Sequence, residues 1–494
     1  MKPAVIQLGR RRVRLTPGVN SLLLTLTLVT VYSSHAQTGS TVDISPEPKV
    51  DRSYKILREN EDWSFLRDRS LREDEWDPIK YIPLRSKSAD RYISIGGEAR
   101  EVWEQIGNDN FGQSPYPNGY LNERYVLHAD MRFGPLYRAF LQLKSGIEDF
   151  RRGGPRIIDE KRLDFLAAYF EVGTRGEEDK DNFVKLRVGR QELNYGSGRL
   201  VSVREGPNVR QSFDGFKVRG RFNSWSMDGW AVRPDLDKPK FFDNAPNHAT
   251  EFWGIYASHP INEAVSVDAY YLGLDRKSAT FNRGSGREVR HNLGVRLWNP
   301  PKTTSRGWDF DDEAVWQFGS FANGGIHAWT VASDTGYSLP DAPLKPRFSL
   351  KADISSGDNP SHKSLGTFNP IFPLGNYFGV LATTGPGPVN FIDLHPRLQT
   401  VFPHGVTVSG DWVVQWREST HDGIYTVPGS LLRRAGDSRA RFVGHRPGIE
   451  ARWQMTRHAW AQVDYGVFYS GRFLKDTQPG KNLNYWALWT GYKF

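Results

Sequence analysis

Hydrophobic and polar residues alternate with a period of two along most of the chain from residue 92 onward. In the stretch 124–133, "RYVLHADMRF", the apolar row consists of Tyr125, Leu127, Ala129, Met131 and Phe133. The same two rows recur in 184–190, 216–222, 347–355, 411–417 and 449–455. Side chains of a β-strand point alternately to opposite faces, so this period predicts strands with one apolar and one polar face.

The apolar rows distinguish between two all-β architectures. They are rich in Ala, Val and Leu, with aromatic residues near the strand ends, as in "TVSGDWVVQWRE". A soluble sandwich would place bulky aliphatic residues in the buried row, whereas a lipid-facing wall carries aromatic girdles at its two interfaces. Roughly 18 segments of about 9 to 12 residues fit between residue 92 and the end. The pattern predicts an all-β, porin-like transmembrane antiparallel β-barrel.

The chain ends in "NYWALWTGYKF", which is itself a strand pattern. Its apolar row consists of Trp486, Leu488, Thr490, Tyr492 and Phe494. A barrel has no free edge only when its last strand pairs with its first. We therefore expect this row to face lipid and this strand to close the barrel.

The connections predict which end of each strand faces which side. The tight stretches "RFGPLYR" and "RFNSWSM" read as periplasmic turns, and long polar connections are expected to alternate with such turns. The long connections are 107–122, 233–250, 356–390 and 417–442. We expect them to be extracellular loops or to fold into the lumen.

The first 91 residues divide into two parts. Basic residues, an apolar stretch of about 12 residues and a small-residue site ending at Ala36 predict a secretory signal peptide over 1–36. Residues 37–91 are predicted to form a short periplasmic or lumen-entering segment, with the barrel over 92–494. These features place the protein in the outer membrane of a Gram-negative bacterium.

Composition and motifs restrict the chemistry. The 494 residues carry a formal charge of +9 and contain no cysteine, which excludes thiolate metal sites and cysteine nucleophiles. The HExxH and GxSxG patterns are absent, so a metalloprotease or serine-hydrolase activity is not expected, and the protein is predicted not to be an enzyme. Neither a cofactor nor a nucleic-acid partner is expected. On a strand, the acidic side chains of "DFDDE" (309–313) would point to two opposite faces, so they would not converge on a calcium ion. We expect lumen arginines to neutralise them instead.

Three stretches resemble one protein family. They are 188–218, 350–379 and the segment "NEDWSFLRD" with "DPIKYIPL" before the first strand, and they are similar to the alginate export family of outer-membrane barrels. The resemblance implies an 18-stranded, monomeric barrel whose basic lumen is narrowed by loops. It also implies an anionic polysaccharide such as alginate as the transported molecule.

The polar rows supply the candidate site residues. If these rows face the lumen, basic side chains outnumber acidic ones there, and a guanidinium gives a carboxylate a bidentate partner. The candidates on strands are Arg187, Arg219, Arg347, Lys351, Arg417 and Arg452. The stretch 188–218 breaks the alternation and adds Arg190, Arg199, Arg204 and Arg210 with Glu192, Glu205 and Asp214.

Two interpretations of the stretch 188–218 stay open. In one, its backbone bends into the lumen as a constriction, and unpaired arginines contact the carboxylates of a passing solute. In the other, arginines and carboxylates form a buried network that braces a turn.

Three functions remain as hypotheses. The first is a passive channel that exports an anionic polysaccharide, with a possible periplasmic export partner. The second is an uptake porin for small anionic nutrients such as sugar acids or aromatic carboxylates. The third is a structural or adhesive barrel with a plugged lumen. Small residues in the lumen row argue against a plug, because Gly189, Gly294 and Ser349 are interpreted as leaving space.

Overall fold

The computed structural model describes most of the chain after residue 49. The chain from residue 52 to residue 494 forms one compact unit. The predicted signal peptide, 1–36, lies outside the described part and stays a prediction. The described residues are 50–84, 90–114, 117–174, 182–302, 304–375 and 385–494.

Eighteen long strands form the wall of the barrel. They are β1 (Arg91–Gly107), β2 (Asn118–Phe133), β3 (Tyr137–Asp149), β4 (Lys161–Gly173), β5 (Phe183–Gln191), β6 (Phe213–Phe222), β7 (Trp225–Leu236), β8 (Thr250–Pro260), β9 (Ser266–Phe281), β10 (Gly284–Asn299), β11 (Gly307–Phe321), β12 (Gly324–Ser338), β13 (Arg347–Ser355), β14 (Phe391–Phe402), β15 (Val406–Trp416), β16 (Phe442–Gln454), β17 (Ala459–Ser470) and β18 (Leu483–Lys493). Each strand pairs antiparallel with the next one in the chain.

The barrel closes between its first and last strands. β18 pairs antiparallel with β1 from Glu98 opposite Lys493 to Gly107 opposite Asn484. Beyond β18, the amide of Phe494 donates to the carbonyl of Gly97 at 3.1 Å, and the reverse bond measures 2.9 Å. The predicted closed, porin-like antiparallel barrel of about 18 strands is confirmed, including the closing role of the last strand.

The two rows of each strand separate as the sequence pattern predicts. Leu127, Phe216 and Trp412 on the outer surface are 48%, 51% and 51% exposed, whereas Arg124 and Arg187 on the inner surface are 2% and 0% exposed. Burying a charged side chain is unfavourable unless it is paired, so the inner surface must hold many ion pairs. The wall therefore has an apolar exterior and a charged interior.

The start of β1 and the end of β18 lie at the same rim of the barrel, which we call the terminal rim. We call the opposite rim the loop rim. The predicted turns at 134–136 and 223–224 lie at the terminal rim. The described parts of the four long predicted connections lie at the loop rim. The expectation that tight and long connections alternate is wrong at 282–283 and 322–323, because these two loop-rim connections are two-residue hairpins.

The remaining elements are short. The helical turns are Arg58–Asn60, Ser64–Arg67, Arg69–Leu71, Asp77–Lys80, Asp109–Gly112, Pro403–Gly405 and Arg472–Asp476. The short strands outside the eighteen are Ile82–Pro83, Ala245–Pro246, Ile424–Tyr425 and Leu431–Arg433. Within the described ranges, no helix has the length and apolar character needed to cross a membrane.

Residues 52–84 lie across the terminal rim. Asp74 hydrogen-bonds to His458 in the β16–β17 turn at 2.6 Å, and Trp76 Nε1 donates to the hydroxyl of Tyr492 at 2.8 Å. The ring of Phe494 lies 4.4 Å from that of Trp76. The predicted lipid-facing row of β18 is exposed at Trp486 and Leu488, but its last residue is additionally covered by this segment.

Candidate functional site

The connection 192–212 between β5 and β6 folds into the barrel, and we call it the first inner loop. Its Leu193, Leu200 and Val201 are buried in an apolar core with wall residues such as Trp230 and Phe252. The loop can turn sharply because Gly196 and Gly198 have φ of +58° and +80°, values that favour glycine. Apolar contacts thus hold this loop inside a charged barrel.

The second inner loop, 356–375, follows β13 and pairs with the first. The amide of Ser202 donates to the carbonyl of Phe372 at 2.8 Å, and the amide of Phe372 donates to the carbonyl of Leu200 at 2.9 Å. Phe368 and Phe372 enter the same apolar core. The two inner loops therefore form one hydrogen-bonded layer inside the barrel.

Two of the four arginines singled out in 188–218 are held by clusters of carboxylates. Arg190 lies 2.9 Å from Asp214 and 3.1 Å from Asp235. Arg199 lies 3.5 Å from Glu313 and 3.6 Å from Asp311 on β11. Arg190 on β5 and Arg199 within the first inner loop are thus both paired with carboxylates of the wall.

Arg210 belongs to a second network in the same loop. Its Nε lies 2.8 Å from Glu192 and 3.4 Å from Glu205, and its Nη2 donates to the carbonyl of Ile56 at 2.7 Å. Glu205 also pairs with Arg124 of the wall. Burial would raise the pKa of Glu205, but Arg124 and Arg210 overcome burial and lower it.

Glu192 differs from Glu205 in its protonation. It is 1% exposed, and burial raises its pKa to about 7 although Arg210 opposes the shift. Glu59 and Glu205 raise the pKa further, and Lys144 opposes them. One carboxyl group of the network therefore changes its charge near neutral pH.

Arg204 stands apart from the other arginines of the loop. Among the described residues its guanidinium has no hydrogen-bond or ion-pair partner, and its Nε is buried without an acceptor. Burial lowers the pKa of Arg204 to about 10, with Asp237 opposing the shift. Its guanidinium lies 5.6 Å from the centre of the Phe372 ring, and its backbone has a φ of +54°. A non-glycine residue in this region costs about 1 kcal/mol or more, so the loop holds Arg204 in place against strain.

The strand candidates are mostly paired. Arg187 is fully buried, pairs with Glu59 and with Glu171 at 2.8 Å, and stacks 3.8 Å over the Tyr169 ring. Arg219 lies 4.0 Å from Asp228.

Two candidates face the acidic stretch 309–313. Arg347 pairs with Asp309, and Lys351 interacts with Asp311. This agrees with the expectation that basic side chains neutralise "DFDDE". No cluster of three potential metal ligands occurs in the described part of the chain.

The last two strand candidates, Arg417 and Arg452, differ in their outcome. The placement of Arg417 on a strand is wrong: β15 ends at Trp416, and the Arg417 guanidinium donates to backbone carbonyls within the connection 417–441, such as Asp422 at 2.8 Å. Arg452 stacks 4.0 Å over the Trp460 ring on the neighbouring strand. Arg417 therefore organises a loop rather than a pore wall.

The interpretation of Gly294 is also wrong. A Cβ atom at this position would lie 2.1 Å from the Tyr270 ring, so the space beside Gly294 is filled by an aromatic side chain. Tyr270 stacks on Tyr256 at 5.2 Å, and its hydroxyl donates to Glu313 at 2.7 Å. Glycine at position 294 therefore accommodates the Tyr270 ring inside the barrel.

Sequence reasoning missed Glu59. It lies in the segment before the barrel, is 5% exposed and pairs with Arg187 on β5. Burial would raise the pKa of Glu59, but Arg187 and Lys217 lower it to about 2. An acidic residue next to the apolar residues of "LRENEDW" was the available signal, because a segment entering a basic lumen needs a carboxylate.

Comparison with known proteins supports the same architecture. The model of the family described as alginate export matches residues 91–487. No curated protein sequence matches the chain.

Solved structures resemble the fold at low sequence identity. OccK5 (OpdH) of Pseudomonas aeruginosa has a TM-score of 0.54 and 14% identity, covering 81% of this chain and 98% of that one. OccAB2 of Acinetobacter baumannii has a TM-score of 0.57 and 9% identity, with the same coverage of 81% and 98%.

The closed 18-stranded wall, the inward-folding loops and the family match agree with one another. The fold is that of an outer-membrane channel, with its apolar exterior in the lipid of a Gram-negative outer membrane. The chain therefore belongs to the alginate export family.

Proposed function

We propose that this protein is a passive channel for small organic anions, foremost carboxylates such as sugar acids, and that Arg204 contacts them in transit. The observation that carries the proposal is the Arg204 guanidinium, which has no partner among the described residues while Arg190, Arg199 and Arg210 are paired. A cation without a partner attracts anions more strongly than a cation whose charge a neighbouring carboxylate neutralises.

The contact would be weak enough for transport. A guanidinium offers a carboxylate two parallel hydrogen bonds, which gives geometric preference for planar anions. Among the described residues, only one cation of the first inner loop lacks a partner, and it lies next to the Phe372 ring, so a solute meets a single site rather than a cage. A site that attracts but does not trap is what conduction requires.

Small solutes suit the narrowed lumen. The two inner loops and residues 52–84 all contact the interior, and the first inner loop is linked to that segment through Arg210 and the carbonyl of Ile56. These elements reduce the cross-section available to a solute.

A second candidate is export of an anionic polysaccharide, which the family match favours. A passive pore has no intrinsic direction, and the same arginine could contact successive carboxylates of a polymer. The length of the solute separates the two functions. Current block by monomeric sugar acids alone supports the first, and block that strengthens with oligouronate length supports the second.

Reversal potential across a salt gradient, measured on single channels in planar bilayers, tests the proposal. We expect wild type to prefer anions and Arg204→Gln to lower the anion-to-cation permeability ratio about threefold to tenfold, since one uncompensated charge acts on each ion. Arg204→Lys keeps the charge and should retain most of the preference. Arg162→Gln, which removes an exposed charge at the loop rim, is the control. An unchanged ratio in Arg204→Gln would refute the assignment.

A further inference from the structure

Residues 52–84 cover one side of the lumen at the terminal rim. Their partners lie on β1, β2, β3, β5 and β18 and in the β16–β17 turn, so the segment reaches from that turn around the closure seam to β5. The apolar core of the inner loops packs against β6, β7, β8, β9 and β11 on the other side. The two meet where the Arg210 guanidinium donates to the carbonyl of Ile56 at 2.7 Å. The segment and the inner loops therefore occupy complementary parts of the lumen.

The segment has a small apolar core of its own. The members of this core are Tyr54, Trp63, Phe65, Leu66 and Tyr81 from the segment and Tyr92 from the start of β1. Two ion pairs also lie within the segment, Arg52 with Asp77 at 3.1 Å and Arg58 with Glu61 at 2.5 Å. Because its core and these ion pairs are largely internal, the segment can keep its shape when it moves relative to the wall.

The attachment of the segment to the β16–β17 turn is polar. The Asp74 carboxylate pairs with Arg457 and, at 2.6 Å, with His458. His458 Nδ1 also lies 2.9 Å from the Tyr54 hydroxyl and 2.7 Å from the carbonyl oxygen of Lys493. We call these contacts the latch. Water can replace polar contacts of this kind at little net cost, whereas an apolar core loses its stabilisation when it is exposed. The segment is therefore easier to displace than the inner loops.

In the structure the segment is docked against the wall, and docking is unfavourable for Lys80. Its side chain is 1% exposed, and among the described residues its Nζ has no hydrogen-bond or ion-pair partner. The Nζ lies 5.0 Å from the centre of the Trp63 ring and 5.9 Å from that of the Phe494 ring. Burial lowers the pKa of Lys80 to about 7, and the Arg58 guanidinium contributes to the shift, although three carboxylates of the segment oppose it. A buried cation without a paired carboxylate costs free energy, which release into water would recover.

Two polar atoms of the wall are buried in the same region. A Cβ atom at Gly96 on β1 would lie 2.5 Å from the Lys80 Nζ and 2.6 Å from Cε1 of His128, so the amine and the imidazole are neighbours. His128 Nδ1 and the Ser94 hydroxyl are buried without a hydrogen-bond partner among the described residues. Water would supply the missing partners if the segment moved away. Docking is therefore opposed by three unsatisfied polar groups and favoured by the latch.

We propose that residues 52–84 form a gate, which moves as a unit from the docked position to one that widens the lumen at the terminal rim. The latch holds the gate closed, and the unsatisfied polar groups around Lys80 keep the closed position only slightly more stable than the open one. Pairing of Ile82 with Ile93 and of Pro83 with Tyr92 keeps the gate attached to β1 while the latch end moves. The proposal adds regulation to the proposed function and rests on it only in that the lumen is the path of the solute.

The accessibility of position 94 to a thiol reagent tests the gate without any transport. The chain contains no cysteine, so Ser94→Cys introduces a single thiol. Ser94 is 2% exposed and lies between Tyr92 and Gly96 in the inner row of β1, and both of these residues contact the segment. A charged methanethiosulfonate should therefore react with this thiol only when the gate opens. Ser349→Cys, in the inner row of β13 and partly exposed, is the reference thiol that reacts with the gate in either position.

Two variants should shift the gate in opposite directions. Asp74→Asn removes the negative charge of the latch, and we expect the reaction of Ser94→Cys to become about threefold to tenfold faster. Lys80→Met keeps an apolar side chain and removes the buried charge, so the reaction should become about threefold to tenfold slower. Glu75→Gln is the matched control for Asp74→Asn, because Glu75 is the neighbouring carboxylate, is exposed and makes no ion pair with the described residues. It should leave the reaction rate unchanged.

Single-channel currents in planar bilayers measure the effect of the gate on the lumen. We expect Asp74→Asn to spend about threefold to tenfold more time in a level of higher conductance, and Lys80→Met to spend less. The double variant Asp74→Cys, His458→Cys, joined by a short bifunctional thiol reagent, should lose the higher level, and cleavage of the reagent should restore it. Each single cysteine variant treated with the same reagent is the control.

The outcomes separate the gate from the proposed function. Equal reaction rates of Ser94→Cys in Asp74→Asn and Glu75→Gln, or a faster rate in Lys80→Met, would overturn the gate. Anion preference carried by Arg204 would then still stand. Opposite shifts in the two gate variants would support the gate even if Arg204→Gln left the permeability ratio unchanged and the assignment of Arg204 failed.

Discussion

At the scale of single residues, the charge that the inner surface presents to a solute depends on which charged side chains are paired. Arg187 and Arg210 are buried and paired, so their field is largely cancelled at a distance. Arg204 lies in the same loop system without a partner among the described residues. A count of basic residues in the lumen therefore overstates the charge that a solute meets.

Glu192 makes the anion preference of the channel depend on pH. Because burial raises the pKa of Glu192 to about 7, its side chain is neutral below that pH and negative above it. We expect the anion-to-cation permeability ratio to fall as the pH rises from 6 to 8, and Glu192→Gln to remove most of this slope. Reversal potentials at a series of pH values provide the measurement.

The same group affects stability with a defined sign. A carboxyl whose pKa is raised on folding binds more protons in the folded state than in the unfolded state between about pH 4.5 and 7. The free energy of unfolding should therefore decrease as the pH rises through this window, and less steeply in Glu192→Gln. A slope that is the same in both proteins would show that Glu192 does not titrate there.

At the scale of elements, the segment before the barrel and the first inner loop are physically connected. Glu59 pairs with Arg187 of the wall, and the carbonyl of Ile56 accepts from Arg210 of the loop. A displacement of the segment would therefore be transmitted to the network of Glu192 and Glu205. The pair of Glu59 and Arg187 joins side chains that are 128 residues apart in the chain.

Removal of the Glu59 charge should loosen this segment. Glu59→Gln leaves the buried Arg187 with Glu171 as its remaining carboxylate partner, and the loss of a buried partner costs about 3 kcal/mol. We expect faster proteolytic cleavage within residues 52–84 and larger current fluctuations in single channels. Glu73→Gln, which changes a carboxylate of the same segment that is 71% exposed, is the control. Equal protease sensitivity of the two variants would contradict the coupling.

At the scale of the whole molecule, stability depends on closure between β1 and β18. A Cβ atom at Gly97 would lie 2.7 Å from the Phe494 ring and 2.7 Å from the carbonyl oxygen of Val126. Glycine at this position lets the terminal aromatic ring lie against the seam. The seam is then covered by Trp76 from the preceding segment.

An alanine at this seam should destabilise the barrel. Gly97→Ala is expected to lower the free energy of unfolding by about 1–3 kcal/mol, because an atom is forced into a packed site. Gly410 on β15 is a matched strand position, since a Cβ there meets nothing within 4 Å, and Gly410→Ala should change stability by less than about 0.5 kcal/mol. Urea unfolding in detergent micelles measures the free energy of unfolding of both variants. An equal loss in the two variants would contradict the dependence of stability on the β1–β18 seam.

The sequence alone determined the wall of this protein. A strand with a period of two must place its rows on opposite faces, so alternation from residue 92 to Phe494 was enough to predict the barrel, its closure and its apolar exterior. The break at "NYGSGR" left an inward bend as one of two open interpretations; in the structure Gly196 and Gly198 have the positive φ that permits a sharp turn there. These are local properties, which neighbouring residues in the chain decide.

Only the tertiary structure decided which charges are free. Arg190, Arg199, Arg204 and Arg210 are indistinguishable as residue types in one stretch. The carboxylates that pair with three of them nevertheless come from β7, β11 and the loop itself. Glu59 and Phe372 enter the site from distant parts of the chain. Pairing depends on distance in space, and period-two patterning carries no information about which polar side chains meet across a closed barrel.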